Sequence, residues 1–138
     1  MKKTFLLIFL LAFINRHYAQ EPQFSWVKAL GSPNGDFGRS IKTDAAGNIY
    51  TTGCFHGTID FDTDTSVYTL TTPTPTSREV YISKMSPDGA LLWVKQLGAF
   101  FVSSMTLDAA GNVYTTGSFM GTVDFDPGPG VHNLTSFT

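Results

Sequence analysis

The chain has 138 residues, of which 14 % are charged and 14 % aromatic, with 13 Gly and 7 Pro spread without a period. That length allows one ordinary domain at most, and the scatter excludes collagen-like and simple low-complexity chains. A net charge of −2 lacks the basic footprint that nucleic-acid phosphates demand, and one cysteine gives neither an intrachain disulfide nor a CxxC-type zinc site.

The N-terminus reads as an address. Lys2 and Lys3 precede an apolar run, Phe5 to Ile14, far short of the roughly twenty residues that span a bilayer. The polar stretch Asn15 to Gln20 follows, so residues 1–19 are expected to be a secretory signal peptide cleaved after Ala19. No cysteine stands at the cleavage site to carry a lipid. Cleavage removes Lys2, Lys3 and Arg16, leaving six of the nine basic residues against 11 acidic ones, a net charge of −5. The expectation is a secreted, periplasmic or cell-surface protein with neither nucleic acid nor a membrane as partner.

The remainder, residues 20–138, is one unit repeated. Residues 44–62 return as residues 108–126 with 15 of 19 positions identical, and Trp26-Val27-Lys28-Ala29-Leu30-Gly31 pairs with Trp93-Val94-Lys95-Gln96-Leu97-Gly98. The first offset is 64 residues and the second 67, which makes Ser32–Arg39 a loop of variable length. Phe24 to Gly31 reads as the leading strand of a blade whose other strands lie elsewhere. Ser40–Thr43 and Ile49–Thr52 flank the turn residues Asp44 to Asn48, which predicts a hairpin. Val80–Met85 and Ala90–Lys95 flank Ser86-Pro87-Asp88-Gly89, a second hairpin. Between them, Gly57–Glu79 is a lengthened connection with a short strand expected at Ser66–Leu70.

Four antiparallel strands recurring at this period are the arithmetic of a β-propeller blade. The expected class is therefore all-β, with residues 40–98 as the first blade and residues 104–138 as part of a second. A closed ring needs more blades than this. The chain is thus expected to be the N-terminal fragment of a longer propeller, or else to hide its open faces by self-association.

Several of these residues carry a family resemblance. Asp-x-x-Gly-Asn-(Ile/Val)-Tyr-x-Thr-Gly at Asp44–Gly53 and Asp108–Gly117, followed by Lys84-Met85-Ser86-Pro87-Asp88-Gly89, the Leu-Leu-Trp step ending at Trp93 and Leu97-Gly98, resembles the bacterial SBBP β-propeller repeats. The resemblance implies a propeller in an exported bacterial protein. It implies no single activity, and it carries over no catalytic residue.

Candidate sites are few. Asp60, Asp62 and Asp64 alternate along an extended stretch and could converge on a hard cation such as Ca²⁺; in the second unit Asp124 and Asp126 remain. The competing reading is a strand end with solvated carboxylates. Asp44 and Asp108 precede Gly-Asn turns and read as caps of the local backbone. Gly47, Gly53, Gly111 and Gly117 serve turns or close strand approach. Trp26, Trp93, Tyr50 and Tyr114 recur in apolar surroundings and read as packing residues rather than a sugar platform. Cys54 and His56 stand two apart, where the second unit has Ser118 and Met120, with no third residue to orient a nucleophile and base.

The leading expectation is a non-enzymatic binding or scaffolding module for a protein or carbohydrate, with Ser32–Arg39 and Thr71–Arg78 as ligand loops. The alternatives are an extracellular polysaccharide hydrolase or lyase, with its carboxylates spread over several blades, and a calcium-stabilised structural array.

Overall fold

Strand-forming runs broken by Gly-containing turns build the first unit. In the computed structural model, residues 21–62, 64, 66–98 and 101–137 are described, and the expected signal peptide lies outside them. Four strands, β1 (Phe37–Thr43), β2 (Ile49–His56), β5 (Arg78–Met85) and β6 (Leu91–Leu97), make one antiparallel sheet in the order β1-β2-β5-β6. Both predicted hairpins are present. Gly47 and Gly89, at φ 81° and 89°, hold the left-handed turn positions that a side chain disfavours.

A small hairpin, β3 (Thr58–Asp60) with β4 (Thr69–Thr71), branches from the sheet between β2 and β5. The single strand expected at Ser66–Leu70 is thus a pair, because Thr58, Ile59 and Asp60 supply the partner ladder. The second unit repeats the plan: β7 (Phe101–Leu107) pairs with β8 (Val113–Ser118), and β9 (Thr122–Asp124) with β10 (Asn133–Thr135). The fold is all-β. Among the described residues, no helix is long and apolar enough to cross a membrane.

Two boundaries differ from expectation. The first sheet begins at Phe37 rather than Ser40, and β7 at Phe101 rather than residue 104. In each hairpin the register slips: Gly38 faces Gly53 while Ser40 faces Thr52, and Val102 faces Gly117 while Ser104 faces Thr116. Arg39 and Ser103 are therefore bulge residues, and the alternation that marks a strand is broken there. The length difference between the units narrows to the segment preceding Phe37. Residues 24–31 form no strand. The described residues offer them no ladder partner.

Alternation sends β2 and β5 side chains to two apolar layers. On one face Cys54, Val80 and Leu97 pack with Val102, Phe101, Phe119 and Phe125 of the second unit. On the other, Phe55, Tyr81 and Val94 pack with Ile59 and Phe61 of the small hairpin and with Leu30. Burial on both faces is what a blade between neighbours requires. Leu30 and Leu97 occupy one repeat position, and each covers the apolar layer of the unit that follows it. The segment before β1 thus stands to the first unit as β6 stands to the second.

Candidate functional site

The two ends of the sheet differ in kind. At one end the turn residues repeat. Asp44 accepts hydrogen bonds from the Ala46 and Asn48 N–H groups at 3.0 and 2.9 Å and from the Asn48 amide at 2.8 Å. Asp108 accepts the same three from Ala110 and Asn112, at 2.9, 2.9 and 2.7 Å. Asn48's side-chain bond is the largest influence holding the Asp44 carboxyl down to about 2, with its backbone N–H and the Lys84 ammonium adding to it against partial burial. These aspartates are turn caps, as the spacing suggested.

The opposite end gathers what the units do not share. Asp36 reaches from the variable loop to the end of β2, accepting the His56 backbone N–H at 3.0 Å and also the Ser32 N–H. The His56 ring faces the same loop, with Nδ1 2.7 Å from the Gly35 carbonyl. A carbonyl only accepts, so Nδ1 carries the proton and Nε2 of the neutral ring is the acceptor. Arg78 Nε donates a long bond to that Nε2 at 3.5 Å. The loop before Arg78 is closed by Ser77, whose N–H donates to the Thr74 carbonyl at 3.1 Å and whose hydroxyl donates to it at 2.8 Å. His56 thus joins Ser32–Arg39 to Thr71–Arg78, the two segments expected to carry a ligand.

Aromatic rings stiffen this end. The Arg78 and Arg39 guanidinium carbons lie 5.6 and 5.4 Å from the Phe37 ring centroid, and Arg39 lies 4.3 Å from that of Phe101. Guanidinium over a ring face at these distances is attractive, and it holds the long side chains still. Beside the stack, a cleft of about 350 Å³ is lined by His56, Thr76, Ser77, Arg78, Gly98 and Met120. Glu79 is buried next to it, its Oε2 near Gly98, and burial pushes its carboxyl above the usual range. Asp36, Phe37, Arg39 and Glu79 escaped the residue-level sequence reading. The signal available was that Phe37 aligns with Phe101 at the 64-residue offset, so the strand could have been started there.

The remaining candidates are placed as follows. Asp60 Oδ1 accepts the N–H groups of Asp62 and Tyr68 at 3.1 and 2.9 Å, and Asp124 Oδ1 those of Asp126 and His132 at 3.0 and 2.7 Å. The residues beyond Asp62 and Asp126 diverge, yet the bonds coincide, so Asp60 and Asp124 tie the loops of the two small hairpins. Asp62 accepts the Asp64 N–H at 3.3 Å, Asp126 accepts that of Gly128 at 2.7 Å, and Asp64 pairs with Lys28. Among the described residues, no three His, Cys, Asp or Glu side chains form a group able to hold a metal ion. Cys54 is fully buried in the layer between the units, whereas His56 directs its ring nitrogens to Gly35 and Arg78. Trp26 donates to the Pro87 carbonyl at 3.0 Å, and Trp93 meets the Tyr50 ring edge-on at 5.9 Å.

Comparison with known families bears on this architecture. The model of the SBBP β-propeller repeat matches residues 25–53, the stretch from Trp26 through the first hairpin. This stretch is an SBBP-type β-propeller repeat. The matched stretch joins the segment before β1 to the β1–β2 hairpin, so the SBBP unit runs across the variable loop rather than stopping at it. No curated protein and no solved structure matches the chain.

Proposed function

We propose that this SBBP repeat chain is a non-enzymatic binding module, exported by way of residues 1–19, whose ligand docks at the end built from Ser32–Arg39 and Thr71–Arg78. The observation that carries the reading is the concentration of unit-specific residues at one end, beside a cleft. His56 replaces the second unit's Met120, the loop before Phe37 is longer, and Arg78 is held between a ring and an imidazole. Repeated residues are engaged in caps, bulges and apolar layers. Loops on a rigid scaffold are where repeat proteins place recognition.

The cleft holds a cation, hydroxyls, a thioether and an imidazole whose two ring nitrogens face Gly35 and Arg78, a set suited to binding and orienting. The test starts from protein recovered from the culture medium, whose N-terminal residue is expected to be Gln20. That protein is incubated with polysaccharide and peptide libraries, and both retention and products are measured. Retention of one ligand class without products is the expected result; turnover of any library member overturns the reading.

A further inference from the structure

We infer that the open edge of β8 is a docking site for an extended polypeptide segment carrying Tyr-x-Ser-Lys. It lies apart from the His56 end and does not rest on the binding-module reading. The duplication shows one surface twice, once covered by a strand and once open. Residues 49–55 and 113–119 differ only at Ile49 and Cys54, replaced by Val113 and Ser118. β2 carries β5 on its far edge, whereas β8 pairs only with β7 among the described residues. An unpaired strand edge presents N–H and C=O groups that template another strand.

The face beside that edge is shaped for an aromatic ring. In the first unit Tyr81 lies against Gly53, where a methyl group would meet its ring at 2.9 Å, and packs with Phe55, Phe61, Leu70 and Leu30. The equivalent residues Gly117, Phe119, Phe125, Leu134 and Leu97 line an open cavity of about 310 Å³. Its aromatic walls are already set, with Phe119 edge-on to Phe125 at 5.1 Å as Phe55 is to Phe61 at 5.9 Å. Little ordering is then required when a ring enters.

Register supplies the rest of the motif. Across the β2–β5 ladder Gly53 faces Tyr81, Thr51 faces Ser83 and Tyr50 faces Lys84. The Thr51 and Ser83 hydroxyls share a hydrogen bond of 2.7 Å, and the Lys84 ammonium lies over the Tyr50 ring and 3.3 Å from Asp44. In the second unit Thr115, Tyr114 and Asp108 hold the matching places, and all three are exposed. The Tyr114 hydroxyl donates to Asp108 at 3.1 Å, so ring and carboxylate together await a cation. The occupant is a segment of another polypeptide rather than β5 of a second copy, because β5 is held on both edges by β2 and β6.

The test titrates the ¹⁵N-labelled chain with a capped peptide of the sequence Glu79–Met85. The amides of Tyr114 to Ser118 are expected to shift and to gain protection from hydrogen exchange, while those of β2 and β5 stay still. A peptide with Tyr81→Ala should bind about tenfold more weakly or worse, the loss of a buried aromatic anchor. One with Lys84→Met should lose several-fold. The changes are made in the peptide, so folding of the chain is not at stake. Absence of β8 shifts up to about a millimolar, equal binding of the Tyr81→Ala peptide, or shifts centred on β2 and β5 would each overturn the site. Concentration-dependent β8 shifts without peptide, matched by a dimer in sedimentation, would make a second copy the occupant and overturn the separate partner.

Discussion

Tyr50 and Tyr114 share the context Gly-Asn-(Ile/Val)-Tyr-Thr-Thr-Gly, yet Tyr50 is 2 % exposed and Tyr114 is 56 % exposed. The difference lies in their neighbours. Tyr50 lies beside β5 and β6, with the Lys84 ammonium 4.8 Å from its ring centroid and Trp93 against its edge. Tyr114 is on β8, which pairs only with β7 among the described residues. Identical sequence thus gives an identical hairpin but not an identical environment. In a repeat fold each unit's stability is largely the interface with the next, so the first unit should respond more strongly to the same mutation.

The widest separation should come from the bulge glycines. A methyl group on Gly53 or on Gly117 would run into the carbonyl oxygen opposite, that of Phe37 or Phe101. At Gly53 it would also meet Tyr81 at 2.9 Å, inside the buried sheet. Gly53→Ala is therefore expected to cost about 3 kcal/mol or more in urea unfolding, the range of severe backbone and core disruption. Gly117→Ala should loosen hydrogen-exchange protection in β7 and β8 while β2 and β5 stay protected. Equal global losses would mean that the two units do not differ in their support.

A smaller contrast is expected in the aromatic layer. Phe55 is fully buried and meets Phe61 edge-on at 5.9 Å, while the equivalent Phe119 meets Phe125 at 5.1 Å but is only partly buried. Phe55→Ala should cost about 3–5 kcal/mol. Phe119→Ala should cost roughly half of that, because less of its surface leaves water on folding. Urea midpoints of the two variants decide the matter, and a larger loss at Phe119 would reverse the ranking of the units.

Much of this was legible before any coordinates, for a specific reason. Duplication exposed the unit, and turn residues such as Asp44, Gly47 and Pro87 mark reversals through local chemistry that needs no tertiary partner. The bulges were not legible, since an extra residue at Arg39 breaks the alternation by which strands are recognised. The β3–β4 hairpin was half seen: Thr58, Ile59 and Asp60 are too short a run to announce a strand without their partner. The candidate site was harder still. Its loops were visible as differences between the units, but joining them depends on His56 reaching Gly35 and Arg78 across 21 and 22 residues. Spacing alone instead paired His56 with Cys54, whose side chain belongs to a buried apolar layer.

The smallest contrast concerns the turn aspartates, and it separates what the hairpin makes alone from what its neighbour adds. Both carboxyls are held below the ordinary value of 3.8, and for both the side-chain amide of the following Asn is the largest cause. Only Asp44 also has Lys84, at 3.3 Å. A carboxyl with a depressed folded-state pKa stabilises the native state above its unfolded value, and that support is lost as pH falls through the folded one. For Asp44 the window runs from 3.8 down to about 2. The effect on stability should be slight, since ion pairs near the surface contribute little. A carboxyl-detected NMR titration should show Asn48→Ala raising the Asp44 pKa more than Lys84→Met does, with Asp108 unchanged in both. If Lys84→Met has the larger effect, the cap depends on the neighbouring strand as Tyr50 does. If Asn48→Ala does, the turn is complete within its own hairpin, which is why the same bonds form in the second unit without β5 and β6.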